Sequence, residues 1–129
     1  MSAPPLRLIY SDKEMLPIGD HLFRGNKYRR IRERLLRTGA FTERDFIAAP
    51  PCQDDDLLLV HTQLWVNKLK NGTLSMREEL ELELPYSKEL VEAFWYGAGG
   101  SIAAARQALQ NRCCVHLGGG FHHAFADHG

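Results

Sequence analysis

A long helical pattern that runs directly into an apolar strand constrains the fold more than any other feature of this sequence. Apolar residues recur at helical spacing from Leu90 to Leu109, behind Ser87 as the predicted N-cap. Residues 112–117 follow as an almost continuous apolar run. Such a run predicts a strand of a parallel sheet that is buried on both faces.

Three glycines interrupt the apolar face of the predicted long helix. Gly97, Gly99 and Gly100 each cost about 1 kcal/mol relative to alanine in a helix interior, so they need a structural reason. We expect another backbone segment to approach the helix closely at these positions.

Two strands and one helix are predicted before the long helix. Residues 6–10 and 46–49 are rich in strand-forming side chains, and an amphipathic helix is predicted from Asn26 to a stop at Gly39. Strands that alternate with helices along a chain predict an α/β fold with a parallel sheet.

The middle of the chain has a weaker pattern. Residues 63–70 predict a helix that ends at Gly72, whereas residues 73–84 show no clear period and predict a surface loop. The three aspartates at 54–56 suggest a metal site at first sight. Acidic residues before an apolar run more often stabilise a helix N-terminus, which is the interpretation we favour.

Composition and charge exclude several classes of function. The chain has 129 residues, of which 44% are apolar, as expected for one ordinary globular domain. Its 16 basic and 16 acidic residues leave no net positive charge to attract nucleic acid or a membrane surface. No spanning segment or secretory signal is evident, so we expect a cytoplasmic protein. Cys52, Cys113 and Cys114 are predicted to be buried apolar side chains rather than disulfides or zinc ligands.

The last predicted strand ends in three glycines and two histidines. Residues 118–120 and the pair His122 and His123 would lie at the carboxyl edge of the sheet, where open sheets bind ligands. Glycine backbone can present two imidazoles in a fixed orientation. A phosphate-binding loop is disfavoured, because no Lys-Ser or Lys-Thr follows the glycines and Phe121 would crowd a pyrophosphate.

Two other interpretations of this segment remain open from the residues alone. One is a zinc site made from His116, His122, His123 and His128, although adjacent histidines cannot easily bind one ion together. The other is a glycine-rich turn with two exposed histidines.

The string LGGGFHHAFADHG, which begins at Leu117, strongly resembles the catalytic loop of the histone deacetylase family. That family includes bacterial acetylpolyamine and acetoin-utilisation relatives, and the Gly-Phe-His-His form is closest to bacterial and class IV members. Residues 16–36 resemble the first loop and helix of the family, residues 58–66 its Val-His element, and residues 84–109 its long glycine-containing helix.

The resemblance implies a fold and roles for individual residues. Residues 1–129 would be the N-terminal part of a three-layer, parallel-sheet arginase/deacetylase-like domain. His123 would be the general base that takes a proton from a water and later protonates the leaving amine, with His122 as its electrostatic partner. Gly120 and Phe121 would lie at the substrate site, unless Phe121 packs in the core.

Zinc is the cofactor that the resemblance implies for the complete enzyme. In the family an Asp-x-His pair and a further Asp hold the ion, and they lie downstream of the matching loop, as does a tyrosine that stabilises the oxyanion. The sequence ends at Gly129 before these residues. We therefore expect no zinc in this chain and no deacetylase activity of the chain by itself.

Two functional hypotheses follow from the resemblance. The first is the N-terminal part of a zinc-dependent deacetylase that acts on acetyl-lysine or a small acetylated amine. The alternative is a non-catalytic binding or assembly module that shares the deacetylase fold. Under both hypotheses we expect the chain to cover exposed apolar surface by self-association.

Overall fold

The fold is organised around a small parallel sheet. The structure is a computed structural model that describes residues 5–22, 24–121 and 123–129. Its strands are β1 (Arg7–Tyr10), β2 (Phe46–Ala48) and β3 (Cys114–His116). They pair in parallel in the order β2-β1-β3, so β1 lies in the centre. The predicted α/β fold with a parallel sheet is confirmed.

In the part of the chain that the structure describes, five α-helices connect these strands and pack around them. They are α1 (Lys27–Arg37), α2 (Asp54–Leu57), α3 (Gln63–Asn71), α4 (Met76–Leu82) and α5 (Lys88–Asn111). Short 3-10 turns follow β1 (Asp12–Glu14) and precede β2 (Glu43–Asp45). None of the helices in the described ranges is both long enough and apolar enough to cross a bilayer.

Helices lie on both faces of the sheet. On one face the imidazole of His116 packs against α5 at Gly100. On the other face the guanidinium of Arg32, from α1, lies 5.3 Å from the ring centre of Tyr10 and 5.2 Å from that of Phe46. The sheet is therefore the middle of three layers.

The core is concentrated around α5. The largest fully buried side chains are those of Trp65, Ile9, Leu90 and Val66. Full burial of a large apolar side chain stabilises a fold by about 1.5 to 3 kcal/mol. Leu90 belongs to a cluster with Leu82 of α4, and Val91 belongs to a second cluster with Trp65 and Leu69 of α3. The long helix thus anchors both clusters.

The glycines of α5 lie where other segments approach the helix. A Cβ on Gly99 would overlap the backbone of residues 50–52, and one on Gly97 would lie 3.2 Å from a carbonyl oxygen of the glycine-rich loop. The predicted close backbone approach is confirmed at both positions. At Gly100 the neighbour is instead the imidazole of His116.

The prediction of a surface loop over residues 73–84 is wrong, because α4 forms there. The Ser75 side chain accepts a hydrogen bond from the Glu78 backbone at 3.3 Å, and the Glu78 carboxylate accepts one from the Ser75 backbone at 2.8 Å. This capping box stabilises the helix start. Leu82 and Leu84 are buried, so the segment also contributes to the core.

The prediction that the last strand is buried on both faces is also wrong. In the described sheet β3 is an edge strand, and Val115 is 38% exposed. Cys113, predicted to be buried, lies at the surface as well, and so do Ile31 and Leu109 on the apolar faces of α1 and α5. Helical periodicity marks an apolar face, but the neighbouring elements decide how much of it is covered.

The aspartates at 54–56 begin a helix, as the sequence predicts. The backbone N–H of Gln53 donates to the Asp56 carboxylate at 2.9 Å, which completes a capping box. Asp54 accepts a hydrogen bond from the indole N–H of Trp95, also at 2.9 Å. These carboxylates therefore serve the local structure.

Candidate functional site

The carboxyl edge of the sheet brings together segments that are distant in sequence. The turn after β1 carries Glu14, and the glycine-rich loop begins two residues after His116 at the end of β3. Parallel strands end at the same edge, so these segments become neighbours. Glu14 and His116, 102 residues apart, form a contact of 2.8 Å between Oε2 and Nε2.

A cavity of about 550 Å³ opens beside this edge. That volume lies within the ~300 to ~1,000 Å³ range of small-molecule sites in proteins. Its walls come from the glycine-rich loop, α3, α5 and the turns after β1 and α4. The apolar and aromatic wall residues include Leu16, Tyr28, Trp65, Phe94 and Trp95.

Three of the four residues predicted for the site line this cavity. They are Gly120, Phe121 and His123. Phe121 also packs edge-on against Phe94, with ring centres 5.9 Å apart, so this side chain both lines the cavity and packs against the core. His122 lies outside the described residues.

Aromatic rings from the segment after the loop, Phe125 and His128, lie on one side of His123. Its ring centre lies 6.1 Å from that of Phe125, and Phe125 stacks on His128 at 4.2 Å with the ring planes 9° apart. His123 therefore lies beside this stacked pair, at a tilt of 43° to Phe125.

The start of α3 holds the segment that follows the loop. His61 lies 2.6 Å from the Phe125 carbonyl oxygen, and the Thr62 N–H donates to the Ala126 carbonyl at 2.7 Å. Thr62 is also the N-cap of α3, whose Trp65 is 2% exposed. The segment is thereby tied to the core. The resemblance covers His61, but the sequence alone did not assign it to the site.

Glu14 is a buried carboxylate beside the cavity. It is 3% exposed, and its Oε1 atom has no hydrogen-bond partner among the described residues. On the far side of the His116 ring, Nδ1 lies 3.2 Å from the Ser101 hydroxyl oxygen. That hydroxyl donates to the Gly97 carbonyl at 3.1 Å. Sequence reasoning missed Glu14, because no local pattern marks it as buried.

Tyr28 is a buried residue in the cavity wall. Burial raises the pKa of this phenol, and the nearby negative charge of Glu14 raises it further. A raised pKa keeps the hydroxyl protonated over a wider pH range. The side chain is thus available as a hydrogen-bond donor.

The described residues do not form a metal centre. Across residues 5–22, 24–121 and 123–129, no group of three His, Cys, Asp or Glu side chains is arranged to hold an ion. Of the histidines considered as zinc ligands, His116 is paired with Glu14, and His128 lies 2.8 Å from its neighbour Asp127. Among the described residues, His116 and His128 are thus engaged by carboxylates and do not converge with other ligands on a zinc ion.

Comparisons with known proteins point to one family. A sequence model described as the histone deacetylase domain matches residues 21–129. Histone deacetylase 2 of Arabidopsis thaliana is 30% identical over 115 residues, and an uncharacterized protein of Picosynechococcus sp. is 30% identical over 124 residues. The alignments cover 84% and 95% of this chain but only 30% and 41% of those proteins.

A solved structure supports the fold independently. The crystal structure of a histone deacetylase homologue in complex with SAHA matches 96% of this chain with a TM-score of 0.69. The sequence identity is 22%, and the match covers 36% of that chain. The present chain thus spans less than half the length of the relatives that it matches.

Proposed function

The chain belongs to the histone deacetylase family, and on that premise we propose that it supplies the acid–base histidine and one wall of a deacetylase active site. The observation that carries this proposal is the position of His123, which lines the 550 Å³ cavity together with Gly120 and Phe121. Residues 1–129 would form the N-terminal part of the deacetylase domain.

His123 would act as general base and then as general acid. Its imidazole takes a proton from a water whose oxygen attacks the acetyl carbonyl carbon. It then gives a proton to the amine nitrogen as the carbon–nitrogen bond breaks, which leaves acetate and the free amine. A group with an unperturbed pKa of about 6.5 suits both steps, and such catalysis typically contributes ~100 to ~10,000-fold in rate.

The proposed reaction would require zinc, and we propose a zinc site only for the complete deacetylase domain, not for residues 1–129 alone. In the family the ion polarises the amide carbonyl. The described residues offer no site for it, so its ligands would have to come from other parts of the protein.

The substrate would be acetyl-lysine or a small acetylated amine. Leu16, Trp65 and Phe94 give the cavity apolar walls, which suit the methylene chain of such a substrate. Tyr28 lines the same cavity.

The proposal is tested by measuring acetate release with the full-length protein that the gene encodes. We expect hydrolysis of an acetyl-lysine peptide or an N-acetylated diamine, and a loss of ~100-fold or more in His123→Ala. Gln110→Ala is the control, because that side chain is exposed on α5 and does not line the cavity. Hydrolysis that is independent of His123 would contradict the proposed role. Absence of hydrolysis with both substrates would favour the assembly module.

Exposed side chains on two helices favour the alternative function, in which copies of the chain associate with each other. Met76 and Leu80 on α4 are 81% and 73% exposed, beside the acidic Glu79. The outer side of α1 carries Arg30 and Arg34, which are exposed as well. We propose that α4 of one copy binds α1 of another. Sedimentation should then show salt-sensitive self-association that Arg30→Glu weakens, whereas a salt-independent monomer would contradict it.

A further inference from the structure

We propose that Glu14 and His116 are positioning residues for the loop that carries His123. Their buried contact fixes the point at which the glycine-rich segment leaves β3. The inference rests on the proposed function in one respect, namely the acid–base role of His123.

The hydrogen bonds of His116 fix the orientation of its ring. The Nδ1 atom of His116 lies 3.2 Å from the Ser101 hydroxyl oxygen, and that hydroxyl is itself held by its hydrogen bond to the Gly97 carbonyl. The other ring nitrogen, Nε2, faces Glu14 at 2.8 Å. With both nitrogens held, from α5 and from the turn after β1, the imidazole cannot turn without breaking a buried bond.

The buried pair is packed against the backbone of the loop. A Cβ on Gly118 would overlap the Glu14 carboxylate and would lie 3.0 Å from Nε2 of His116. The φ of Gly118 lies outside the left-handed region, so the backbone itself does not require glycine there. The carboxylate of Glu14 is therefore the main reason why only glycine fits at this position.

The position of Gly118 determines where the rest of the glycine-rich loop lies at the cavity. After Gly118 comes Gly119, whose φ of 143° is accessible mainly to glycine and whose carbonyl oxygen packs against α5. Phe121 then fixes the far side of the loop against Phe94. A shift at Gly118 would therefore move the backbone that leads to His123.

The Oε1 atom of Glu14 has no hydrogen-bond partner among the described residues, which argues against a purely stabilising role. A buried acceptor without a donor is unfavourable, and an apolar side chain of similar size would avoid that cost. A carboxylate that directs an imidazole and shapes a loop has a reason to remain there. The exposed Lys13–Glu92 pair already links the same turn to α5 at the surface, so Glu14 is not needed for that attachment.

Ring resonances of His123 in NMR spectra, together with the affinity for N-butylacetamide, test the inference. We expect Glu14→Ala and His116→Asn to shift the His123 resonances and to weaken binding by about 10-fold or more, as expected for a misplaced site. Glu92→Gln is the matched control and should change neither.

A double-mutant comparison separates positioning from general damage. Gly118→Ala should weaken binding by about 10-fold or more when Glu14 is present, but by less than about 2-fold in the Glu14→Ala background, where space has been made. An equal effect in both backgrounds would overturn the inference, as would unchanged His123 resonances in Glu14→Ala and His116→Asn.

Two other experimental results, a variant that does not fold and a wild-type protein that binds no ligand, also have clear interpretations. If Glu14→Ala does not fold, Glu14→Met fills a similar space without a hydrogen-bonding group for His116 and must still shift the His123 resonances, and unchanged resonances would refute the inference. If the wild-type protein binds no N-butylacetamide, the proposed deacetylase function loses support. The ring resonances then still decide whether Glu14 positions the loop.

Discussion

The Nδ1 atom of His61 lies 2.6 Å from the carbonyl oxygen of Phe125, across 64 residues of sequence. A carbonyl oxygen only accepts hydrogen bonds, so Nδ1 must carry the proton. The adjacent Thr62 N–H donates to Ala126, which gives two neighbouring hydrogen bonds to the same segment. The start of α3 therefore clamps the chain immediately beyond the candidate site.

Removal of this clamp should be measurable. We expect His61→Ala to lower the free energy of unfolding by about 0.5 to 1.5 kcal/mol and to speed hydrogen exchange of the Thr62 amide. Gln63→Ala is the control, because Gln63 is exposed and bonds only to Asn67 within α3 among the contacts described. Unchanged exchange at Thr62 would contradict the clamp.

The core around α5 gives a second prediction. Leu90 is 0% exposed, so Leu90→Ala leaves a cavity and should lower the free energy of unfolding by about 2 to 5 kcal/mol. Leu109, on the same helix, is 89% exposed, and Leu109→Ala should change the stability by no more than about 0.5 kcal/mol. Urea denaturation of both variants measures the difference. Similar losses would mean that the helix packs differently.

Regular elements with a strong period could be predicted from the sequence. The long helix is an example, because its apolar spacing and the Ser87 cap persist in the structure. The short α4 was missed, since two turns are too few to show a period, although the Ser75–Glu78 box marks its start. The exposure of Val115 could not be predicted, because it depends on which elements cover β3.

The candidate site was predictable only in part. The glycine-rich loop and its histidines stand out in the sequence, and the structure brings His123 to a cavity. The roles of Glu14 and His61 depend on contacts with residues 102 and 64 positions away, so no local pattern reveals them. In the sequence, a glutamate that becomes buried cannot be distinguished from one that stays at the surface, because its partner is distant.

The three cysteines should differ in reactivity. Burial raises the pKa of the Cys52 thiol to about 11, whereas Cys113 is exposed. The thiolate is the reactive form, so Cys52 should react far more slowly with iodoacetamide in the native protein.

Burial also raises the pKa of Cys114, which should react at an intermediate rate. Mass spectrometry of the labelled peptides measures the order. Equal labelling of Cys52 and Cys113 before unfolding would refute it, and labelling in urea is the control.

The ion pair between α3 and α4 predicts how stability changes with pH. The hydrogen bond from Lys68 lowers the pKa of the Glu78 carboxyl to about 2, helped by the Ser75 backbone N–H. Its ordinary value of 4.5 applies to the unfolded chain, which therefore takes up the proton first as the pH falls. The stabilisation is fully present above pH 4.5 and is lost as the pH falls from 4.5 towards 2.

Urea unfolding of Glu78→Gln at a series of pH values checks this prediction. The free energy of unfolding of the wild-type protein should exceed that of the variant by a constant amount above pH 4.5, and the gap should narrow towards pH 2. Glu79→Gln, one residue along the same helix, should show no such narrowing, because Glu79 has no ion-pair partner among the described residues. If the gap for Glu78→Gln stays constant down to pH 2, the folded protein does not hold this carboxyl ionised through Lys68.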